Sequence, residues 1–145
     1  MKSRFWVTGV GVCLALVVTP PVFATNYYVN DGVTNALDVY TTKAGNEDNT
    51  GLAPDSPKSS LTSVLTNALA ANDIIYIDTG TYGSGIVITN SGTAGSPISF
   101  VGSTNGTIFT GGGTIISLNG ANYLAFSNIR AVGGGTGWAL TSANN

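Results

Sequence analysis

Cysteine and histidine are almost missing from this sequence of 145 residues, which contains one cysteine and no histidine. The single cysteine, Cys13, lies inside an apolar N-terminal run, so the rest of the chain cannot form a disulfide. This excludes the small disulfide scaffold that is common among exported proteins. We therefore expect apolar burial and backbone pairing to stabilise the fold.

Charged side chains are also scarce, at 8% of the sequence. After residue 24, three basic residues face seven acidic ones, and this negative balance would repel the phosphates of a nucleic acid, which excludes that partner. All seven acids precede residue 79, so the chain has two halves of different composition. The basic residues are Lys43, Lys58 and Arg130, and the acids are Asp31, Asp38, Glu47, Asp48, Asp55, Asp73 and Asp78.

The N-terminus has the features of a secretory signal. Lys2 and Arg4 precede an apolar run over residues 5–18, and Val22 and Ala24 occupy the positions that a signal peptidase reads. A retained membrane anchor would need about 20 apolar residues, more than this run supplies. We expect cleavage after Ala24, which predicts a protein that is secreted into the extracellular space or the periplasm.

The N-terminal half contains one predicted helix between short strands. An apolar stripe at helical spacing begins at Leu61 and ends at Leu69, with a start signal at Ser60 and a stop at Asn72. Strands are predicted at NYYVN (26–30), LDVYTT (37–42) and DIIYIDTGTY (73–82). The stripe consists of Leu61, Val64, Leu65, Ala68 and Leu69, and Pro57, Ser59 and Ser60 precede it.

The C-terminal half is predicted to contain only short strands, separated by turns of Gly, Asn, Ser and Pro. Each strand has two or three inward apolar side chains, too few for a stable hairpin, so each needs a similar neighbour on either side. The predicted strands are IVIT (86–89), ISFV (98–101), TIFT (107–110), IISL (115–118), YLAF (123–126), IRAV (129–132) and WALT (138–141).

A repeat in this half explains how such strands find neighbours. The segment ISLNGAN (116–122) returns as WALTSAN (138–144), with three of seven positions identical. Three short strands within one such period predict a β-solenoid, in which each residue lies over the one a coil earlier. Ile116 should lie under Trp138 and Leu118 under Leu140 in the interior, with Asn119 under Thr141 and Asn122 under Asn144 at the turns.

The predicted solenoid is open at its C-terminal end. Asn145 aligns with Tyr123, the first residue of a strand, so WALT (138–141) would form an unpaired edge with an exposed Trp138 indole. Solenoids normally cover such an edge with a cap. We therefore expect an incomplete solenoid, from a longer protein or a truncated gene product, or a partner that pairs with this edge.

Residues 44–82 resemble the opening of secreted right-handed parallel β-helix proteins of the pectate-lyase-like superfamily. Those proteins have a Gly-Asn/Ser-Asp-x-Asn-x-Gly segment, a proline, a helix, and a strand that ends in Gly-Thr-Tyr. Asn72 departs from this pattern, because a glycine usually precedes the strand aspartate. The matching positions are Gly45, Asn46, Asp48, Gly51, Pro57, Asp73, Ile75, Tyr76, Gly80, Thr81 and Tyr82.

The resemblance implies an all-β fold, a right-handed parallel β-helix with an N-terminal α-helical cap. The sequence repeat predicts coils of about 22 residues, a length within the range of solenoid repeats. The expected organisation is a signal peptide over 1–24, N-terminal strands and the capping helix over 25–85, and the first coils over 86–145. The superfamily includes polysaccharide lyases, other carbohydrate-active enzymes and adhesins, so the fold alone does not select an activity.

Calcium is the one cofactor that the residues suggest, through the segment NEDNTG (46–51). Asn46, Asp48 and Thr50 alternate as in an EF-hand loop, but Pro57 stands where a bidentate glutamate is required. A turn stabilised by an Asn or Asp side chain is the favoured interpretation. Calcium near Asp48 and Asp55 is the alternative, and we assign no metal ligand.

No catalytic or cofactor-binding residue is assigned either. The glycine clusters at 111–113 and 133–135 lack the Lys-Ser/Thr and helix of a phosphate loop, so we interpret them as corners that need positive φ. The resembling lyases use a cation held by carboxylates and a Lys or Arg base, whereas the coils here carry only Arg130. Strand alternation places Arg130 on the outer face, as a surface group. Trp138 aligns with Ile116, which favours a core or capping role over sugar stacking.

Two functions follow from these observations. In the first, the chain is the N-terminal segment of an exported β-helix protein that contacts polysaccharide or a cell-surface glycan without catalysis in this segment. In the second, it is the front end of a polysaccharide lyase or glycoside hydrolase whose active site lies beyond residue 145. Acidic and basic residues recurring at coil spacing further along the protein would favour the enzyme.

Overall fold

The strands and the helix are short throughout the computed structural model, which describes residues 23–141. The predicted leader, apart from Phe23 and Ala24, lies outside the described residues, and so does Asn144 with its expected partnership to Asn122. The elements are β1 (Asn26–Val29), α1 (Leu61–Leu65), β2 (Ile74–Ile77), β3 (Gly80–Gly83), β4 (Ile86–Ile88), β5 (Ile98–Gly102), β6 (Thr107–Thr110), β7 (Thr114–Asn119), β8 (Leu124–Ser127), β9 (Ile129–Val132) and β10 (Thr136–Thr141).

The ten strands form three sheets in which every ladder is parallel. The sheet orders are β1-β2-β5-β8, β3-β6-β9 and β4-β7-β10. From β2 onward the chain visits each sheet once per circuit and then returns to the first sheet one strand further along. This mostly β arrangement is compatible with a parallel β-helix.

The predicted pairing of the sequence repeat is confirmed between β7 and β10. Trp138 pairs with Ile116, Leu140 with Leu118, and Thr141 with Asn119. Earlier circuits are longer than predicted, as the numbering of the pairs Ile75–Phe100 and Ile86–Ile116 shows. The turns absorb the additional residues, so the register is kept while the circuit length varies.

Side chains at paired inward positions stack on one another in the core. The rings of Phe100 and Phe126 lie 4.9 Å apart and nearly parallel, and those of Tyr82 and Phe109 lie 5.2 Å apart. Ile75 continues the first stack on β2, because it pairs with Phe100. Parallel pairing without offset thus places like side chains in contact, and their burial from water stabilises each circuit against the next.

The final described circuit is less covered than the one before it. Leu118 is 5% exposed, but its partner Leu140 is 62% exposed, because no described strand lies beyond β10. The expectation that Leu140 lies in the interior is therefore wrong, although its register is right. The Trp138 indole is half-buried instead of exposed, because its ring packs edge-on against Phe126 at 5.0 Å.

The segment predicted as one strand over 73–82 is two strands that meet at a corner. Asp78 and Thr79 separate β2 from β3, and the two strands enter different sheets. The Asp78 side chain is fully buried, and its carboxylate accepts hydrogen bonds from five donors. The donors are the backbone N–H groups of Val39, Tyr40, Thr41 and Thr79 and the hydroxyl of Thr41, at 2.7–2.9 Å.

The same carboxylate explains why the predicted strand over 37–42 is absent. Three consecutive N–H groups of this segment point to Asp78, whereas a strand would direct alternate N–H groups to opposite sides. The buried acid therefore satisfies the backbone in place of a neighbouring strand. It also fixes this irregular segment to the corner after β2.

The helix is shorter than the predicted stripe over 61–69. It begins after Ser60, whose hydroxyl accepts the Ser63 N–H, as the start signal predicts. It ends at Leu65 because Thr66 and Asn67 donate side-chain hydrogen bonds to the carbonyls of Ser63 and Val64. Such bonds compete with continued helix. Ala68 is exposed, and Leu69 is buried although it lies beyond the end of the helix.

The helix and the preceding loop lie beside the first strands. α1 contacts β1 and β4. Residues near Lys58 cover the outer edge of β1, since the Lys58 N–H donates to the Tyr28 carbonyl and the Asn30 N–H donates to the Lys58 carbonyl, both at 3.0 Å. The first strand therefore does not present an open edge along this stretch.

Replacing the buried carboxylate should destabilise the fold. In Asp78→Asn one acceptor oxygen becomes an amide that faces N–H donors, so we expect the free energy of unfolding to fall by about 3 kcal/mol. Urea denaturation followed by circular dichroism measures the change. The matched control is Asp55→Asn on an exposed turn, expected to change stability by less than about 0.5 kcal/mol. Equal effects of the two substitutions would contradict the role of Asp78.

Candidate functional site

A groove of about 230 Å³ is the concave feature that stands out in the described part of the chain. It lies between the turn after β1, the start of α1, and strand β3 with the residues that follow it. Both the N-terminal segment and the first circuit of strands therefore contribute to it. The lining residues are Asp31, Gly32, Ser59, Ser60, Leu61, Thr62, Thr81, Tyr82, Gly83, Ser84, Ile86 and Phe109.

The groove has an apolar floor and a polar rim. Leu61, Tyr82, Ile86 and Phe109 are buried side chains and form the floor. The rim carries the hydroxyls of five Ser and Thr residues and one carboxylate, that of Asp31. This combination of apolar surface with a few polar groups is typical of small-molecule sites. The hydroxyl residues are Ser59, Ser60, Thr62, Thr81 and Ser84.

Gly80 makes room for the Asp31 carboxylate at the groove. A Cβ added at Gly80 would clash with Oδ2 of Asp31, so a larger residue here would displace the carboxylate from its present position. The Val33 N–H donates to Oδ1 of Asp31 at 3.0 Å, and the Gly45 N–H donates to the Asp31 backbone carbonyl at 2.7 Å. The Gly80-Thr81-Tyr82 motif thus builds one wall, with glycine making space and the next two residues lining the groove.

Tyr82 connects the groove to the corner after β2. Its hydroxyl donates to the backbone carbonyl of Asp78 at 3.0 Å. Burial raises the pKa of Tyr82 far above its ordinary value of 10.0, and the charges of Asp31, Asp78 and Asp38 raise it further. The phenol therefore stays protonated across the physiological range, as a hydrogen-bond donor.

Glu47 fixes the start of α1 beside the groove. Its carboxylate accepts hydrogen bonds from the hydroxyls of Ser59 and Ser63, and the Lys58 ammonium donates to its backbone carbonyl at 2.6 Å. Burial raises the pKa of Glu47, but the hydrogen bonds from Ser59, Ser63 and Ser60 and the charge of Lys58 outweigh it. The net pKa of Glu47 lies below the ordinary value. Ser59 and Ser60 line the groove, so these bonds help to set its shape.

The structure does not bring Asp48 and Asp55 together with further ligands. Both residues are exposed, and no group of three or more acidic, Cys or His side chains suited to a metal occurs within residues 23–141. Oδ1 of Asn46 accepts the Asp48 N–H at 2.9 Å, which confirms the interpretation of this segment as a side-chain-stabilised turn. Calcium near Asp48 and Asp55 stays a prediction.

Arg130 lies on the outer face of its sheet, as alternation predicts. It is exposed on β9 and pairs with Ile108, which pairs in turn with Thr81 on β3. No second charged residue occurs on these three strands. The glycine corners also agree with prediction, because Gly113 and Gly134 have φ of 68° and 71°.

Sequence reasoning did not find the groove. Gly80, Thr81 and Tyr82 stand out in the sequence only as part of a motif, and Asp31 only as one of the seven acids. The sequence feature that could have indicated the groove is Gly80, two residues before Tyr82. A glycine within a strand often marks a place where another group approaches the backbone closely. The identity of that group, a carboxylate from the turn after β1, depends on the folded chain.

The Tyr82 hydroxyl predicts a stability difference in alkali. Tyr82→Phe removes one buried hydrogen bond and should lower the free energy of unfolding by about 1 kcal/mol at pH 8. Above pH 10 the unfolded phenol loses its proton while the folded one keeps it, so the wild type loses stability as the pH rises. The gap between the two proteins should therefore narrow between pH 8 and pH 11 in urea titrations. A gap that widens or stays constant would contradict the raised pKa.

A scan against protein-family models and a search of curated protein sequences found no match to this chain. Among solved structures, the chain is similar to a rhamnogalacturonan lyase, with a TM-score of 0.60 and 21% sequence identity. The match covers 76% of this chain and 29% of the lyase chain, so this chain spans less than a third of that protein's length. At this identity the likeness concerns the fold, and it agrees with the β-helix that the resemblance implies.

Proposed function

We propose that this chain is the N-terminal segment of an exported right-handed parallel β-helix protein, and that it contacts polysaccharide or a cell-surface glycan without catalysing a reaction itself. The observation that carries the proposal is the fold likeness, over most of the chain, to a protein that acts on a polysaccharide. The groove adds a concave surface with polar and apolar groups.

The distribution of acids supports a non-catalytic role. Glycosidic cleavage uses positioned titratable groups, most often a pair of carboxyls. No acidic residue follows Asp78 in the sequence, so β3–β10 present none. Asp78 is buried, and its oxygens accept five hydrogen bonds. Asp73 is also buried and accepts the N–H groups of Thr25 and Ala70. These two carboxylates serve the fold.

Export and capping complete the proposal. The leader over residues 1–24 would direct secretion to the extracellular space or the periplasm. Among residues 23–141 no helix has the length and apolar character to cross a membrane. α1, which contacts β1 and β4, would serve with the loop before it as the amino-terminal cap of the solenoid.

The alternative function is the front end of a polysaccharide lyase or glycoside hydrolase. The similar lyase chain is more than three times as long as the matched segment, and this observation favours the alternative. In that case the catalytic groups would lie on coils beyond residue 145. The two functions differ in chemistry but share the contact with a polysaccharide.

The edge of the final circuit would then pair with further β-structure. β8, β9 and β10 each have one neighbouring strand among the described residues. Leu140 exposes an apolar side chain beside this edge. A strand from a further coil or from a partner would cover the side chain and satisfy the edge N–H and C=O groups.

Affinity electrophoresis in gels that contain a soluble pectic polysaccharide with neutral as well as acidic sugar units tests the proposal. We expect the folded chain to be retarded relative to a gel without polysaccharide, whereas the urea-unfolded chain should not be. Incubation with the same polysaccharide should give no unsaturated or reducing product. Absence of retardation would contradict polysaccharide contact. Product formation that is proportional to the amount of chain would contradict the non-catalytic role.

A further inference from the structure

We propose that the groove beside Asp31 takes one neutral sugar unit and discriminates against a uronate. This inference rests on the proposed polysaccharide contact and adds to it a location and a charge preference. Three features carry it: the size of the groove, the distribution of polar and apolar groups around it, and the sign of its charge.

The size of the groove limits the ligand to a small unit. Its volume of about 230 Å³ is below the roughly 300–1,000 Å³ of typical ligand pockets. The groove therefore takes a single residue or one end of a glycan, and an extended segment would project from it into solvent.

The chemistry of the groove matches both surfaces of a sugar ring. Apolar C–H groups of the ring can lie on the parts of Leu61, Tyr82 and Ile86 that stay exposed at the floor. Ring hydroxyls can meet the Thr62 and Thr81 hydroxyls on the rim, which act as donors or acceptors. A purely apolar ligand would leave these polar groups without partners.

The charge of the groove selects against an acidic sugar. Asp31 is the one charged residue that lines the groove, and no Lys or Arg is among the lining residues. The fields of Asp31, Asp78 and Asp38 also act together on Tyr82 in the floor. A neutral hydroxyl can donate a charge-assisted hydrogen bond to the Asp31 carboxylate. A uronate carboxylate would instead meet a like charge without a compensating cation.

The position of Asp31 is set before any ligand arrives. The carboxylate lies against Gly80, and backbone N–H groups of Val33 and Gly45 hold its Oδ1 and its backbone carbonyl. A ligand therefore does not have to order this acceptor, and preorganisation of this kind favours binding.

Isothermal titration of the full chain with a matched pair of oligosaccharides tests the inference. The probes are trigalacturonate and the neutral trisaccharide obtained by reducing its carboxyl groups, both at pH 7 in calcium-free buffer. We expect the neutral probe to bind about tenfold more tightly, the scale of one like-charge contact at a partly exposed site. Asp31→Asn keeps the shape and should reduce this ratio to near one, whereas Asp55→Asn removes the same charge outside the groove and should leave it unchanged.

A second variant keeps the test decisive if Asp31→Asn does not fold. Thr81→Lys adds a positive charge on the exposed rim, and it should shift the ratio of the two affinities at least tenfold toward trigalacturonate.

Equal or tighter binding of trigalacturonate by the wild type would overturn the inference. The inference would also be overturned if Asp31→Asn and Asp55→Asn changed the ratio of the two affinities by the same factor. If neither probe binds while the polysaccharide gel still retards the chain, the groove assignment fails alone. If the gel shows no retardation either, the proposed function fails with it.

Discussion

In-register parallel pairing between successive circuits is the interaction on which the rest of this structure depends. The strands are three to six residues long, and strands of this length are not stable without neighbours. Pairing Ile75 with Phe100, and Phe100 with Phe126, places like side chains in contact and removes them from water together. The sequence contains a single cysteine and so cannot form an intramolecular disulfide, which leaves this repeated contact and its backbone hydrogen bonds to stabilise the fold.

The groove is a product of the corner at which the first circuit leaves its first sheet. Asp78 binds the segment around Val39–Thr41, and its carbonyl accepts the Tyr82 hydroxyl, so the corner fixes both the loop and the floor. Gly80 leaves space into which the Asp31 carboxylate fits. The acids of the N-terminal half therefore have separate roles: Asp73 and Asp78 are buried and satisfy backbone groups, while Asp31 stays at a surface that a ligand can reach.

The parts of the fold that the sequence predicts are those that depend on local patterns. The repeat over 116–122 and 138–144 gave the register of β7 and β10, because residues one circuit apart share a side-chain environment. The prediction of a strand over 37–42 was wrong because the backbone N–H groups of this segment donate to the distant carboxylate of Asp78, which no local pattern reveals. The helix was too long because apolar spacing does not report the side-chain bonds of Thr66 and Asn67 that end it. The groove was missed because it also depends on a contact between residues distant in sequence: Asp31 and Gly80 meet only in the folded chain.

A cross-linking measurement tests the stacked register most directly. Ser117 and Ala139 are paired on neighbouring parallel strands, where Cα atoms about 4.8 Å apart suit a disulfide. In a Cys13→Ser background, cysteines at 117 and 139 should form an intramolecular disulfide in high yield under mild oxidation, as measured by the mass change and by thiol titration. Cysteines at 117 and 141, offset by two positions and about 8 Å apart, should remain reduced. Failure of the first pair to oxidise, or equal oxidation of both pairs, would contradict the stacking of circuits on which this account rests.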